Sequence, residues 1–199
     1  MKKILLFLIM FILIFLILIR GSVYLFQHDY NYINSIILSI SAIIIIIFII
    51  LKFYFRHVRF KYVTTIVFIL LMIYLYYCLF PTGNNYKSDD IKKEYTSLHP
   101  ILRLGVGTLF IFDKKSIMTD GTRSLENCEK MNIKYNSAHK INEDGFGYAV
   151  DISIRDRTKI RNFFVEYYFV ILGYYSLRHD QGYGDHLHIS LQSNLQKYK

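Results

Sequence analysis

Ser137-Ala138-His139 is followed by Gly147-Tyr148-Ala149-Val150-Asp151, and further on by Asp185-His186-Leu187-His188. A histidine, an aspartate and a second histidine make the ligand set of a zinc ion that keeps one position open for a reacting molecule. The pieces lie in short segments far apart in sequence, as expected when a fold gathers ligands. Around Asp151 the pattern alternates: Val150, Ile152 and Ile154 fall on one face of a strand, and Ala149, Asp151 and Ser153 on the other. A carboxylate set among such neighbours needs a partner if it is buried. His186 and His188 also share one strand face, so both are placed to line a site. Cys128 reads as a buried structural thiol, and with Cys78 as the other cysteine there is no disulfide framework.

These segments need a domain to hold them. Pro81-Thr82-Gly83-Asn84-Asn85 ends an apolar run, and a charged stretch follows to about Glu94. Residues 81–97 therefore read as a linker between a membrane part (1–80) and a domain over 98–199. Within that domain, residues 108–112 and 116–119 predict a hairpin around Asp113-Lys114-Lys115. Ser124 is placed to cap a helix over 125–133. A strand is expected at 148–154, then a helix opened by Asp156 or Thr158 and closed by Gly173. In that helix Ile160, Phe163, Phe164, Tyr167, Tyr168 and Ile171 follow the spacing of a core-facing stripe. A last strand at 186–191 follows a glycine-rich turn. The sum is a small α+β domain, an antiparallel sheet with helices packed on it, large enough for one core.

Composition averages two populations. Residues 81–199 hold 17 of the 24 Lys+Arg and 14 of the 15 Asp+Glu, whereas residues 1–80 are mostly apolar. Apolar runs at 4–19, 36–51 and 62–80 predict three transmembrane helices, at about 4–19, 36–55 and 62–80. Lys2 and Lys3 on one side, and Lys52, Arg56, Arg59 and Lys61 in a later loop, contrast with Arg20 alone in the loop between. Both basic sides are then cytoplasmic. That makes a multi-pass protein of the cell (inner) membrane whose C-terminal domain faces the periplasm or exterior. Reading 4–19 as a cleaved signal peptide instead leaves the domain on the same side. The net charge of +9 divides into +6 before residue 81 and +3 after it. The first is topological signal, and the second is too small to imply nucleic acid. The partner implied by this half of the chain is a lipid bilayer.

Thr119-Asp120-Gly121-Thr122-Arg123-Ser124, Ser137-x-His139, Gly147-x-Ala149-x-Asp151 and Asp185-x-x-His188 occur in that order. Over roughly residues 98–192 this resembles the LAS group of zinc peptidases: D-alanyl-D-alanine carboxypeptidases and dipeptidases, and related phage endolysins. The resemblance implies an LAS/hedgehog-like fold and Zn2+ held by His139, Asp151 and His188. It also implies a peptidase cleaving amide bonds of peptidoglycan stem peptides next to a D-amino acid. It nominates Asp185 as general base, while the H-x-H arrangement of the lysostaphin branch nominates His186. Arg123 resembles the arginine that engages the substrate's carboxylate or a developing oxyanion, and Ser124 and Ser137 would orient these groups. The sequence departs from the usual motif by five extra residues between His139 and Gly147. If the loop at 140–144 bulges outward, the ligands stay in register. If it distorts the site, the reading becomes a non-catalytic wall-binding scaffold that retains the fold. His188-Ile189-Ser190-Leu191 also fits half of a two-histidine phosphoesterase signature, but His99 is followed by Pro and His139 by Lys-Ile, so the second half is missing.

Overall fold

A computed structural model describes residues 2–54, 60–123, 138–179 and 185–191; side chains are described for 13–50, 52 and 62 onward within those ranges. The helix expected over 125–133, Ser124, Cys128 and Ser137 lie outside the described residues. The chain divides into two compact units, Met1–Tyr76 and Tyr77–Lys199.

The first unit contains α1 (Lys2–Gln27), α2 (Tyr32–Tyr54) and most of α3 (Phe60–Leu79). Two stretches among the described residues, Tyr32–Ile50 and Tyr62–Leu79, are long and apolar enough to cross a membrane. The first expected span, 4–19, falls mostly on residues whose side chains are not described, and its described continuation, Leu13–Gln27, is shorter than a span requires. Leu18, Ile43, Ile47 and Leu71 form the buried cluster of this unit. Small residues let α1 and α2 approach: a Cβ on Gly21 would lie 2.9 Å from the Ser39 hydroxyl, and the Ser22 hydroxyl donates to that of Ser39 (3.3 Å).

The second unit begins with the last turn of α3. The Tyr95 hydroxyl donates to the Cys78 carbonyl (2.5 Å) and Arg103 Nη1 to the Leu79 carbonyl (2.7 Å), satisfying carbonyls that a helix end leaves open. Residues 81–97, expected as a linker, are built into this unit. They contain α4 (Asp89–Glu94), capped by Ser88, and a 3-10 turn at Tyr95–Ser97. Tyr86 pairs with Met118, and the Asn85 amide donates to the Ser116 carbonyl (2.7 Å).

The hairpin expected over 108–119 is not formed. Residues 108–112 end α5 (Pro100–Phe112), a helix with His99 as N-cap and Pro100 in its first turn. Ten of its thirteen residues are buried, from Pro100 to Phe110, so it lacks the polar face that would have marked it as a helix. A Cβ on Gly107 would lie 2.5 Å from the Cys78 Cα, and one on Gly105 2.7 Å from the Tyr174 ring; both glycines exist to permit these approaches.

Four strands follow among the described residues: β1 (Met118–Asp120), β2 (Ala149–Ser153), β3 (Tyr175–His179) and β4 (His186–Ser190). They form an antiparallel sheet in the order β1-β2-β4-β3. The expected alternation holds on β2 and β4. Val150, Ile152, Leu187 and Ile189 are fully buried in the core, which leaves Asp151, Ser153, His186 and His188 on the opposite face. Between β2 and β3 runs α6 (Lys159–Leu172), opened by the Thr158 hydroxyl and closed by left-handed Gly173 (φ 91°). Its expected core-facing stripe is reversed. Asn162, Val165, Phe169 and Leu172 point inward, while Ile160 (70 % exposed), Phe163, Phe164 (66 %), Tyr167 and Ile171 face outward. Tyr168 alone of that stripe reaches in, donating to the Gly105 carbonyl (2.9 Å).

Candidate metal centre

Asp151 and His188 are direct cross-strand partners on β2 and β4, and Asp120 of β1 stands opposite Asp151 on its other side. His139 lies in the described stretch from residue 138 that leads into β2. Its backbone carbonyl accepts from the Arg123 N–H (2.8 Å), which holds it alongside the end of β1. The sequence-distant ligand candidates thus meet at one place, with His139 and Asp151 buried and His188 half-buried.

The distances fit a tetrahedral ion. His139 Nε2 is 3.2 Å from His188 Nδ1, His188 Nδ1 is 2.9 Å from Asp151 Oδ1, and His139 Nε2 is 3.4 Å from Asp151 Oδ1. Ligand atoms bound tetrahedrally at about 2.0–2.1 Å lie about 3.3 Å from one another, so the three donors already stand near the spacing of three corners. The tautomer fits as well. His139 Nδ1 is 2.6 Å from the Gly121 carbonyl, an acceptor only, so Nδ1 carries the proton and Nε2 offers its lone pair to the centre. Gly121 is in turn fixed by its own N–H, which donates to Glu94 Oε2 (3.0 Å).

Electrostatics follows the same geometry. Burial alone would raise the Asp151 carboxyl, but in the metal-free cluster the protonated imidazoles of His139 and His188 beside it outweigh burial and hold the group well below the usual carboxylate range. Burial alone would lower His139, and the Asp151 carboxylate outweighs that and raises it. The cluster therefore binds a proton readily, and a metal would compete for the same lone pairs.

The segment between His139 and Gly147 is compatible with the gathering of His139, Asp151 and His188. Asn142 N–H donates to the Phe146 carbonyl and Gly145 N–H to the Asn142 carbonyl (both 3.0 Å), so the loop closes on itself. Gly145 takes φ 82°, where a side chain would be strained. Beyond the loop the chain is pinned again, Tyr148 N–H to Ala138 O (3.0 Å) and Gly147 N–H to Ser97 O (2.9 Å). A Cβ on Gly147 would meet Thr122 Cγ2 at 2.5 Å, so a side chain there would have to displace Thr122.

The remaining site residues of the sequence divide. His186 Nε2 lies 3.6 Å from Asp151 Oδ2, and its ring stacks on His179 (4.8 Å between centroids). Asp185 is exposed and lines a cleft together with Asp151 and His186. Arg123 ion-pairs with Asp120, so its guanidinium is already engaged within the fold. Sequence reasoning missed Gly121 and Glu94, whose contributions are a backbone carbonyl and a carboxylate from the presumed linker. No protein-family model matches the chain, and no curated protein or solved structure matches it.

Proposed function

We propose that the second unit is a zinc peptidase that hydrolyses amide bonds of peptidoglycan stem peptides next to a D-amino acid. In this reading α1–α3 are three membrane spans that hold it on the outer side of the cell membrane. The observation that carries the proposal is the preformed triangle of His139 Nε2, Asp151 Oδ1 and His188 Nδ1, with the His139 tautomer set by Gly121. His139, Asp151 and His188 would hold a zinc ion there, which would supply a Lewis acid for the scissile carbonyl and bring the pKa of bound water to about 7. Asp185, exposed beside Asp151 in the cleft, takes the proton from the attacking water and returns it to the leaving amine; His186 is the alternative base, standing nearer to Asp151. Arg123 would stabilise the developing oxyanion while sharing its guanidinium with Asp120.

The full chain, purified in detergent with zinc, should release new amino groups from whole peptidoglycan, with products that differ in mass by cleavage next to a D-amino acid. Intact muropeptides after long incubation with a zinc-loaded protein would reject the reading. Sidedness is tested separately: a reporter after Lys199 should register the outer side, and one near His57 the cytoplasm. A second reading rests on one observation, that Asp151 is already satisfied by two histidines. In that reading the His-Asp-His cluster is satisfied without an ion, and the domain would be a non-catalytic wall-binding one that takes up no metal.

A further inference from the structure

α6 turns an apolar strip away from the core. Ile160, Phe164, Tyr167 and Ile171 recur at helical spacing over about 16 Å of its length. Phe163 packs against Tyr167 beside them, with ring centroids 4.2 Å apart. Phe112, 65 % exposed at the end of α5, lines a groove of about 520 Å³ together with Ile160 and Phe164. A soluble domain rarely leaves so continuous a strip in water. The one acidic residue of α6, Glu166, is turned away from this face and pairs with Arg178 of β3 (2.5 Å). Lys159 at the start of α6 is exposed, as are Lys114 and Lys115 after α5. An aromatic, apolar face with cations at its border and no carboxylate along it suits an anionic lipid surface.

The second unit also contains the end of α3. The stretch Tyr62–Leu79 is long and apolar enough to cross a membrane. Tyr74, Tyr76, Tyr77 and Phe80 gather at its end, as aromatic residues do at a membrane–water boundary. Cys78 Sγ lies 3.6 Å from the Thr108 hydroxyl, and Phe112 is four residues further along α5, about 6 Å. α6 packs on the same helix, where the Tyr168 hydroxyl donates to the Gly105 carbonyl (2.9 Å). The strip therefore begins about one helix diameter, about 10 Å, from the end of the span. Headgroups extend about 5–8 Å beyond the hydrocarbon on each side, so the bilayer surface is within reach of this face.

We infer, on the reading of α3 as a membrane span and independently of the metal centre, that the outward face of α6 lies on the surface of the bilayer that α3 crosses. The strip sinks to the level where headgroups meet acyl chains, and the bordering lysines meet anionic headgroups. This contact sets the orientation of the sheet. Arg178, held by Glu166 of α6, stands opposite buried Leu187 on the face that α6 covers. Leu177 and His188 are partners on the other face, and Asp151 is paired with His188 there. A bilayer under α6 therefore leaves Asp151, His186 and His188 facing away from the lipid. On the peptidase reading, the substrate then approaches from outside the membrane and not from within it.

The chain contains no tryptophan, so a single introduced one reports alone. The test uses the full chain in nanodiscs of phosphatidylglycerol and phosphatidylcholine, with acyl chains either brominated near the glycerol end or unbrominated. Brominated lipid should quench Phe164→Trp and Ile171→Trp at least about twofold. Leu177→Trp, exposed on the site face of the sheet, should keep its intensity. Leu70→Trp, in the middle of the Tyr62–Leu79 stretch, should be quenched as a spanning residue. Adding Ile160→Asp and Ile171→Asp to Phe164→Trp should remove most of its quenching. All these positions are exposed, and a circular dichroism spectrum matching the parent certifies each variant as folded. Quenching of Leu70→Trp without quenching of Phe164→Trp and Ile171→Trp overturns the inference, and blue-shifted emission in that case would assign the face to a second copy of the chain. Equal quenching of Leu177→Trp and Phe164→Trp overturns it as well. Quenching of Phe164→Trp but not of Leu70→Trp would keep the face on lipid and sink the span, whereas no quenching at any position would sink both.

Discussion

Acidification should destabilise the second unit through His99, a residue outside the metal centre. His99 is fully buried. Its ring stacks on Tyr148 (5.0 Å, 24°) and meets Phe146 edge-on (5.6 Å, 81°), while its Nδ1 accepts from Ile101 N–H as the cap of α5 (3.3 Å). Burial lowers its pKa from 6.5 to about 4. The folded chain thus resists a proton that the unfolded chain accepts, so the stability is complete above about pH 6.5 and drains away as pH falls toward 4. At about 1.4 kcal/mol per unit, the loss is about 2 kcal/mol at pH 5 and about 3 kcal/mol below pH 4. His139 has the opposite sign, because its raised pKa adds stability that is present at low pH and lost as pH rises through its folded value. The two are separated by comparing the parent with His99→Gln, both in chelator. Thermal unfolding followed by circular dichroism in detergent, from pH 7.5 to 4.5, should show the parent losing about 2 kcal/mol more than the variant by pH 5. Parallel pH profiles for the two proteins would refute the reasoning.

Three further outcomes are expected. Phe164→Ser, on the outward face of α6, should change stability by no more than about 0.5 kcal/mol, whereas Phe169→Ala should cost about 3–5 kcal/mol; denaturant midpoints that rank the other way would mean the helix is turned over. Asp113 accepts from buried Arg157 (2.7 Å) and pairs with Arg161. Asp113→Ala should cost about 3–5 kcal/mol by stranding Arg157, and adding Arg157→Met should recover most of it; a double variant no better than the single one would contradict that. Asp185→Ala should retain zinc and lose turnover by about a hundredfold or more. If His186→Ala behaves so while Asp185→Ala stays active, the base is His186.

What the sequence made legible was local. Val150, Ile152 and Asp151 alternate because one face of the sheet is core and the other carries the site, and Thr158 and Gly173 marked both ends of α6 by their own chemistry. Elements decided by tertiary contact were not legible. The run from Thr108 to Phe112 reads as a strand because α5 is buried nearly all round, and only the approach of Cys78 and Tyr174 explains Gly107 and Gly105. On α6 apolar residues occur on more than one face, so spacing alone did not choose between the Val165–Phe169 side and the Phe164–Ile171 side. β3 gave little signal because Tyr175 and Leu177 alternate with half-buried polar residues and are themselves exposed. At the centre, His139, Asp151 and His188 were readable as residue types. The Gly121 carbonyl that sets the His139 tautomer is a backbone atom and leaves no mark in a sequence, and Glu94 was hidden in a charged stretch.

Zinc stoichiometry is the most direct measurement. The full chain in detergent at neutral pH should carry about one zinc by elemental mass spectrometry, and so should His186→Ala. His139→Ala, Asp151→Ala and His188→Ala should each lose most of it, and uptake by the parent should weaken as pH drops, because protons occupy the same lone pairs. A parent that takes up no zinc, or full occupancy in all three ligand variants, would contradict a metal centre built from His139, Asp151 and His188.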